Sequence, residues 1–443
     1  MGNNIPKMVV FPVQQLLCGK NESLLWKKAV RTRATASVFR CRCDEKGLFR
    51  VKLQRRRIKM LILSAGPTTI ADNTLQAMSR QRWNADLSRE FYEQYQRVVE
   101  KYDRVIKNTR GFSFIMGAEA MIALEGACAS LIEPGDEVLV LANGVFGRGF
   151  ADLVSMYGGR PVTVSQPDEH GFSLEALQRA VAEHPNAKLA TMVHCETPTG
   201  VTNDVAELCR FLKKCGILSV VDSVSAIGGE MLNYDDSAID VLLGGSQKCL
   251  SAPSGLGMVT LSPAAVQAIQ NRTKPIASFY ANYQYFFNWQ EKMWFPYTMP
   301  EQLINALETA LDNILAKDYI GLHARYAEIT RRVLTENGLK LFAESAVANT
   351  LTAFYAPEKA APDQILAHLQ AKYEIILSGS LAEYQDKLLR IGHMGENNRG
   401  AYFEKLFAAL DGTWKDLKLG ASHFLQSYYE AALPPCDCDC CRK

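Results

Sequence analysis

Hydrophobic positions through the middle of the chain come in short solid runs, not in alternation. From Gly117 a glycine turn leads into the helical pattern GAEAMIALEGACASLI. EVLVLA then reads as a strand, Phe146 to Tyr157 as a helix and RPVTVS as a strand. A helix from Ser173, the run LATMVH, a helix from Asp204 and the runs LSVVDSV, IDVLLGG and GMVTLS complete the series. Unbroken apolar runs separated by helices are the pattern of strands buried on both faces of a mostly parallel sheet, and they predict an α/β layered domain. Past about residue 300 long amphipathic helices are expected over Glu301 to Lys317 and Tyr319 to Asn337. LTAFYAP and LLRIGHMG then read as strands, flanked by helices near Asp363 and Tyr402, which is the makeup of a smaller α+β domain.

These patterns divide the chain into four parts. Residues 1–59 are a basic extension, 60–315 a large domain with an N-terminal arm, 316–425 a small C-terminal domain, and 426–443 a Cys-rich tail expected to be disordered. Neither an internal repeat nor a run of about 18 apolar residues is present, so no membrane span is expected.

Composition changes this picture in one place. Of the 443 residues 48% are hydrophobic and 22% charged, as in an ordinary globular protein. Residues 1–59 hold 15 Lys and Arg against 3 Asp and Glu, so a head of +12 on a chain of +2 leaves a body of −10. An acidic body argues against a nucleic-acid surface. The Arg-rich, acid-poor head fits an organelle transit peptide, an accessory segment, or upstream sequence before a start at Met60. The compartment is cytoplasmic, or mitochondrial or another organelle if the head is a transit peptide. The unpaired spacing of Cys128, Cys195, Cys209, Cys215 and Cys249 suits free thiols in a reducing compartment. Cys436 to Cys441 are crowded enough for a soft metal, but no second ligand cluster accompanies them and no metal is expected.

In open α/β sheets ligands bind beyond the carboxyl ends of strands. Four loops there carry unusual residues. FIMGAEAM turns at Gly117 into a helix whose free amides suit a phosphate, and a tight turn explains the glycine equally well. LANGVFGRGF holds Phe146, which either stacks on a flat heterocycle or packs in the core. MVHCETPTGV offers the Thr197 and Thr199 hydroxyls around a turn shaped by Pro198 and Gly200, with His194 read as a hydrogen-bonded strand-end residue. SVVDSVSAIGG ends an apolar run on Asp222, a costly place for a carboxylate unless it faces a cation. Lys248, in GGSQKCLSAPSGLG, closes a later run. It is either a lysine that snorkels to water or a desolvated amine held for Schiff-base chemistry. A helix start for phosphate, an aromatic to stack, a carboxylate for a ring nitrogen and an amine for an aldehyde together describe a site for pyridoxal phosphate.

VHCETPTG, VVDSVSAIGG and GGSQKCLSAPSGLG, in this order and spacing, resemble the class V, fold-type I pyridoxal-phosphate aminotransferases, in the branch of the alanine-glyoxylate and serine-pyruvate transaminases. The likeness runs from LILSAGPTTI at Leu61 to about Leu410. It implies a Schiff-base lysine at Lys248, a pyridinium partner at Asp222, a ring-hydroxyl contact at Thr197, stacking by Phe146 and phosphate contacts from Gln247, Ala120 and Met121. LLRIGHMG resembles the family's carboxylate-binding segment, which makes Arg390 the fork for the substrate carboxylate, with Gly66 approaching substrate. FPYTMP resembles a segment that reaches the neighbouring subunit's phosphate through Thr298, or less well through Tyr297, and so implies a homodimer with shared sites. Two departures stand out. The phosphate turn reads MGAEAM, where a phosphate would repel the Glu119 side chain, which is expected to point away while backbone amides bind, and SAGPTT replaces the usual Pro-Gly-Pro form.

The resemblance implies transfer of an amino group from a small amino acid, alanine or serine, to glyoxylate or pyruvate by a ping-pong route. A 2-aminoethylphosphonate-pyruvate transaminase is the alternative and would want extra positive charge. A lyase or cysteine desulfurase would want His before the lysine and a small-domain Cys. This chain has Gln247 there and no Cys between Cys249 and Cys436.

Overall fold

The computed structural model describes residues 37–43, 49–55 and 60–432. In the unit Met1–Lys59 the strands Ser37–Cys43 and Phe49–Arg55 pair antiparallel. Apart from that hairpin, the expectations for the basic extension and for Cys436 to Cys441 lie outside the described residues.

The unit from Met60 is built on a seven-stranded sheet. Its order is Phe112–Met116, Gly257–Leu261, Val241–Gly245, Leu218–Asp222, Leu189–Val193, Glu137–Ala142 and Arg160–Ser165. Neighbours from Val241–Gly245 to the Arg160 edge are parallel, as the solid apolar runs require. Gly257–Leu261 runs against both its neighbours. The short link between Gly245 and Gly257 has no room for a crossover helix, so the chain turns straight back. Helices Leu174–Glu183 and Val205–Lys214 begin where Ser173 and Asp204 predicted. The Ser173 side chain accepts from Ala176 N at 3.2 Å and Asp204 from Glu207 N at 2.9 Å. Each satisfies one amide that the first turn leaves unpaired.

A second apolar core gathers Ile329, Val333, Phe354, Ile365, Leu389, Ile391, Phe403 and Phe407. Its sheet pairs Leu351–Tyr355 and Ser378–Gly379 on either side of Leu388–Gly392, all antiparallel. The helix Glu301–Leu315 packs in the first core and Tyr319–Glu336 carries the chain into the second. Between them Asp318 caps the new helix through Gly321 N at 2.9 Å.

Three features differ from the sequence reading. The strand Phe112–Met116 and the helix Arg89–Ile106 precede the region where the pattern was read. The arm packs with the second core, since Leu61–Ile62 pairs parallel with Ile375–Ile376 and Leu63 is buried there. The helix Phe424–Ala432 extends seven residues into the stretch assigned to a disordered tail, because Phe424 and Tyr428 are apolar anchors in that core. Among the described residues no helix is long and apolar enough to cross a membrane.

Gly392 sets how the arm enters the site. Its N–H donates to Leu63 O at 2.8 Å, and an added Cβ would overlap the Ser64 carbonyl. Gly392→Ala is therefore expected to lower stability by about 1–3 kcal/mol, the usual cost of overpacking, in chemical denaturation. An unchanged midpoint would show that the arm has slack.

Candidate active site

The loop after Val241–Gly245 is closed on itself before it presents any chemistry. Ser246 Oγ donates to Pro253 O at 2.7 Å, and Ser246 O accepts from Ala252 N at 2.9 Å. The arm pins it from above: Thr68 N donates to Gln247 O at 3.1 Å and Thr68 Oγ1 to Lys248 O at 3.0 Å. Lys248 is thus a side chain on a fixed peptide. Its Nζ donates to Ala65 O at 3.0 Å. Gly66, at φ +104°, passes over the lysine so closely that a Cβ there would stand 2.7 Å from Nζ. Only glycine meets both demands at this position.

Asp222 ends its strand buried, with Oδ1 accepting from Val224 N at 2.9 Å. Burial pushes its carboxyl up to about 6, against the Val224 N–H and the Lys248 charge, which favour ionisation. The Lys248 amine is pushed down, first by burial and then by the charge of Arg390. A buried carboxylate raised in this way is stabilised by a bound cation.

Arg390 comes from the second core, on Leu388–Gly392, and is 7% exposed. Its Nε donates to Gly379 O at 2.6 Å and one terminal nitrogen to Thr197 O at 2.8 Å. Two neutral carbonyls are its protein partners, and burial alone pushes it down to about 10. No carboxylate among the described residues is paired with it, which leaves its charge unneutralised within the chain.

Lys248 and Asp222 border one cleft of about 340 Å³, whose lining also includes Gly66, Phe146, Thr197, Gln247, Glu119, Ala120 and Met121. Thr197 Oγ1 is hydrogen-bonded to Ser225 Oγ, and both residues face the cleft. Arg390 stands behind Thr197. Thr298 stands apart: it is exposed, and its hydroxyl donates to Asp86 at 2.8 Å. His194 is a strand-end residue as read, with Nδ1 3.0 Å from Ser223 Oγ and burial pushing it down to about 4. Among the described residues no cluster of His, Cys, Asp and Glu could hold a metal.

Sequence reasoning passed over Glu196 and Ser225. Glu196 is fully buried and accepts from Gly147 N at 2.6 Å and Phe146 N at 3.2 Å, so it caps the helix Val145–Met156 that carries Phe146. The signal was present as an acid two residues past the run LATMVH. Its partner amides lie some 50 residues earlier, out of reach of local pattern.

With Lys248, the buried Asp222 carboxylate and Phe146 around one cleft and Arg390 behind Thr197, the fold and site are those of a fold-type I enzyme of the pyridoxal-phosphate group. The chain belongs to the class-V aminotransferases: the family model described as aminotransferase class-V matches residues 60–295. It is 29% identical to the pyridoxamine–pyruvate transaminase of Mesorhizobium japonicum over 86% of this chain and 97% of that one. It is 31% identical to the serine–glyoxylate aminotransferase of Arabidopsis thaliana over 75% of this chain and 85% of that one. The structure of an alanine–glyoxylate aminotransferase from Nostoc sp. superposes with a TM-score of 0.77 at 27% identity, covering 80% of this chain and 95% of that one. Enzymes of this class depend on pyridoxal 5′-phosphate, and the ring end of the cleft fits it. Asp222 is a raised carboxylate in want of a cation, and Lys248 is a depressed amine beside it.

Because Arg390 helps hold the Lys248 amine down, Arg390→Met is expected to raise the pH at which the lysine becomes reactive. Schiff-base absorbance with pyridoxal, followed against pH, measures this directly. A midpoint that stays put would mean the two cations do not feel each other.

Proposed function

We propose that the chain transfers an amino group between a small amino acid, alanine or serine, and a small 2-oxo acid, with Lys248, Asp222 and Arg390 as its working groups. The observation that carries this reading is the buried Arg390 guanidinium, whose hydrogen bonds among the described residues go to the Gly379 and Thr197 carbonyls. It suits an α-carboxylate bidentately, and amino acid and 2-oxo acid both have one. The relatives named above differ in amino donor, yet each is named for pyruvate or glyoxylate as the acceptor or its product.

Pyridoxal 5′-phosphate, when bound, supplies an aldehyde to take the amino group and a ring to accept an electron pair. Lys248 supplies the amine that holds the aldehyde. Its lowered affinity for protons would leave it free to take one from the substrate Cα. Asp222 would hold a proton on the ring nitrogen. Phe146 would stack on the ring, Thr197 would meet its hydroxyl, and Gln247, Ala120 and Met121 would stand at its 5′ end. Gly66 closes over the lysine and keeps water from it. A phosphonate substrate fits less well, because Lys248 is the one cation among the described residues that line the cleft.

The residues 60–315 and 316–425 act as large and small domains in this reading, the cleft lying where their two cores meet. A homodimer completes it. Tyr280, Met293 and Trp294 are 53%, 48% and 47% exposed, and Tyr280 stacks on Tyr297, beside Thr298. Met121, on the cleft itself, is also exposed. An apolar surface of this kind beside a binding site suits a second copy of the chain, whose Thr298 then approaches the first copy's cleft. The buried free cysteines Cys128, Cys195, Cys209 and Cys249 support a reducing compartment such as the cytoplasm.

The protein loaded with cofactor is expected to lose its visible absorbance on addition of L-alanine and to regain it with glyoxylate. Lys248→Ala is expected to lower turnover by at least roughly 10²-fold, the scale of a lost acid-base group. Unimpaired transamination by that variant would sink the mechanism. The double variant Tyr280→Asp, Trp294→Asp is expected to sediment as a monomer where the parent sediments as a dimer, and equal sedimentation would remove this surface as the interface.

A further inference from the structure

The end of the cleft away from Asp222 is built for a different group from the one the family name implies. The helix Met121–Leu131 starts there, and its first amide is a natural anion contact. That contact is already taken: Met121 N donates to Glu119 Oε2 at 2.9 Å. The other carboxylate oxygen of Glu119 accepts from Gln247 Nε2. This bond fixes the orientation of the amide, since turning it over would set one acceptor against another. Gln247, 5% exposed, is left with Oε1 buried and without a hydrogen-bond partner.

The charges point the same way. Among the described residues lining the cleft, Lys248 faces two carboxylates, Asp222 and Glu119, and Glu119 is close enough to push the Asp222 carboxyl up. Thr298, the other contact expected at this end, is bonded to Asp86. A phosphate dianion placed here meets a carboxylate, an occupied amide and an unpaired carbonyl oxygen. A hydroxyl meets two acceptors for its one proton and loses nothing to repulsion.

We propose that this cradle takes B6 vitamers with a free 5′-hydroxyl, that pyridoxamine itself serves as an amino donor to the 2-oxo acid, and that Glu119 with Gln247 selects the hydroxyl. The inference rests on the assignment of Lys248 and Asp222 above and adds the substrate class. The reaction balances without any further reagent: pyridoxamine and a 2-oxo acid give pyridoxal and the amino acid. The amine carbon of pyridoxamine is oxidised to the aldehyde by two electrons, and the keto carbon receives them. The C–N bond broken at one carbon is formed at the other, and the water released in one condensation is taken up in the hydrolysis.

The test is a spectral titration of the full chain, freed of cofactor, with pyridoxal and with pyridoxal 5′-phosphate in parallel, on the parent, Glu119→Gln and Glu119→Gly. The parent is expected to bind pyridoxal at least as tightly as its phosphate. Each variant is expected to shift the ratio of the two dissociation constants at least tenfold towards the phosphate, with unchanged circular dichroism. Pyridoxamine and pyruvate, with no phosphate ester added, are expected to yield pyridoxal and alanine by chromatography. A parent that binds the phosphate tenfold more tightly than pyridoxal, or variants that leave the ratio where it was, would overturn the proposal and leave the transaminase assignment standing. Failure of either vitamer to give the Lys248 absorbance would overturn both.

Discussion

Every part of the site answers to one constraint: Lys248, Arg390 and Asp222 are taken out of water together at the edge of an apolar sheet, where an unmatched charge is costly. The protein meets the cost unevenly. Lys248 leans on the Ala65 carbonyl and sheds part of its affinity for a proton. Arg390 takes two carbonyls and no carboxylate. Asp222 takes one amide and the charge of Lys248, and its carboxyl still rises to about 6. What is left over, an under-neutralised guanidinium and a carboxylate short of a cation, describes by subtraction what the site receives. An anion at Arg390 and a cation at Asp222 would each offset a charge that the folded chain leaves unmatched.

How much of this was legible in the sequence follows from the range of the forces involved. The parallel strands were readable because burial on both faces writes itself as an unbroken apolar run, as in LATMVH and IDVLLGG. Asp222 and Lys248 stood out because each is a charge closing such a run. The caps at Ser173 and Asp204 act over three residues and were visible for that reason. By contrast, the reversed direction of Gly257–Leu261 depends on the length of a link and not on its composition. Glu196 is bonded to amides some 50 residues upstream, and nothing local marks an acid as a cap for a helix that precedes it.

Glu119 lies between these cases. Its identity at the phosphate turn was visible as a departure from the family pattern, and so was its repulsion for a phosphate. The Gln247 amide that it orients, and the carbonyl oxygen thereby left bare, needed the folded chain. The two residues are 128 apart, and their bond turns an oddity of sequence into a statement about the ligand.

The arm ties these pieces together mechanically. Leu61–Ile62 belongs to the same core as Arg390, through Ile375–Ile376 and the contact of Leu63 with Gly392, yet its continuation through Ala65 and Gly66 lies over Lys248. Arg390 and the cover of Lys248 are therefore joined through one short segment of chain. The pairing of two arm residues with Ile375–Ile376 thereby bears on how closely Gly66 can lie over the lysine.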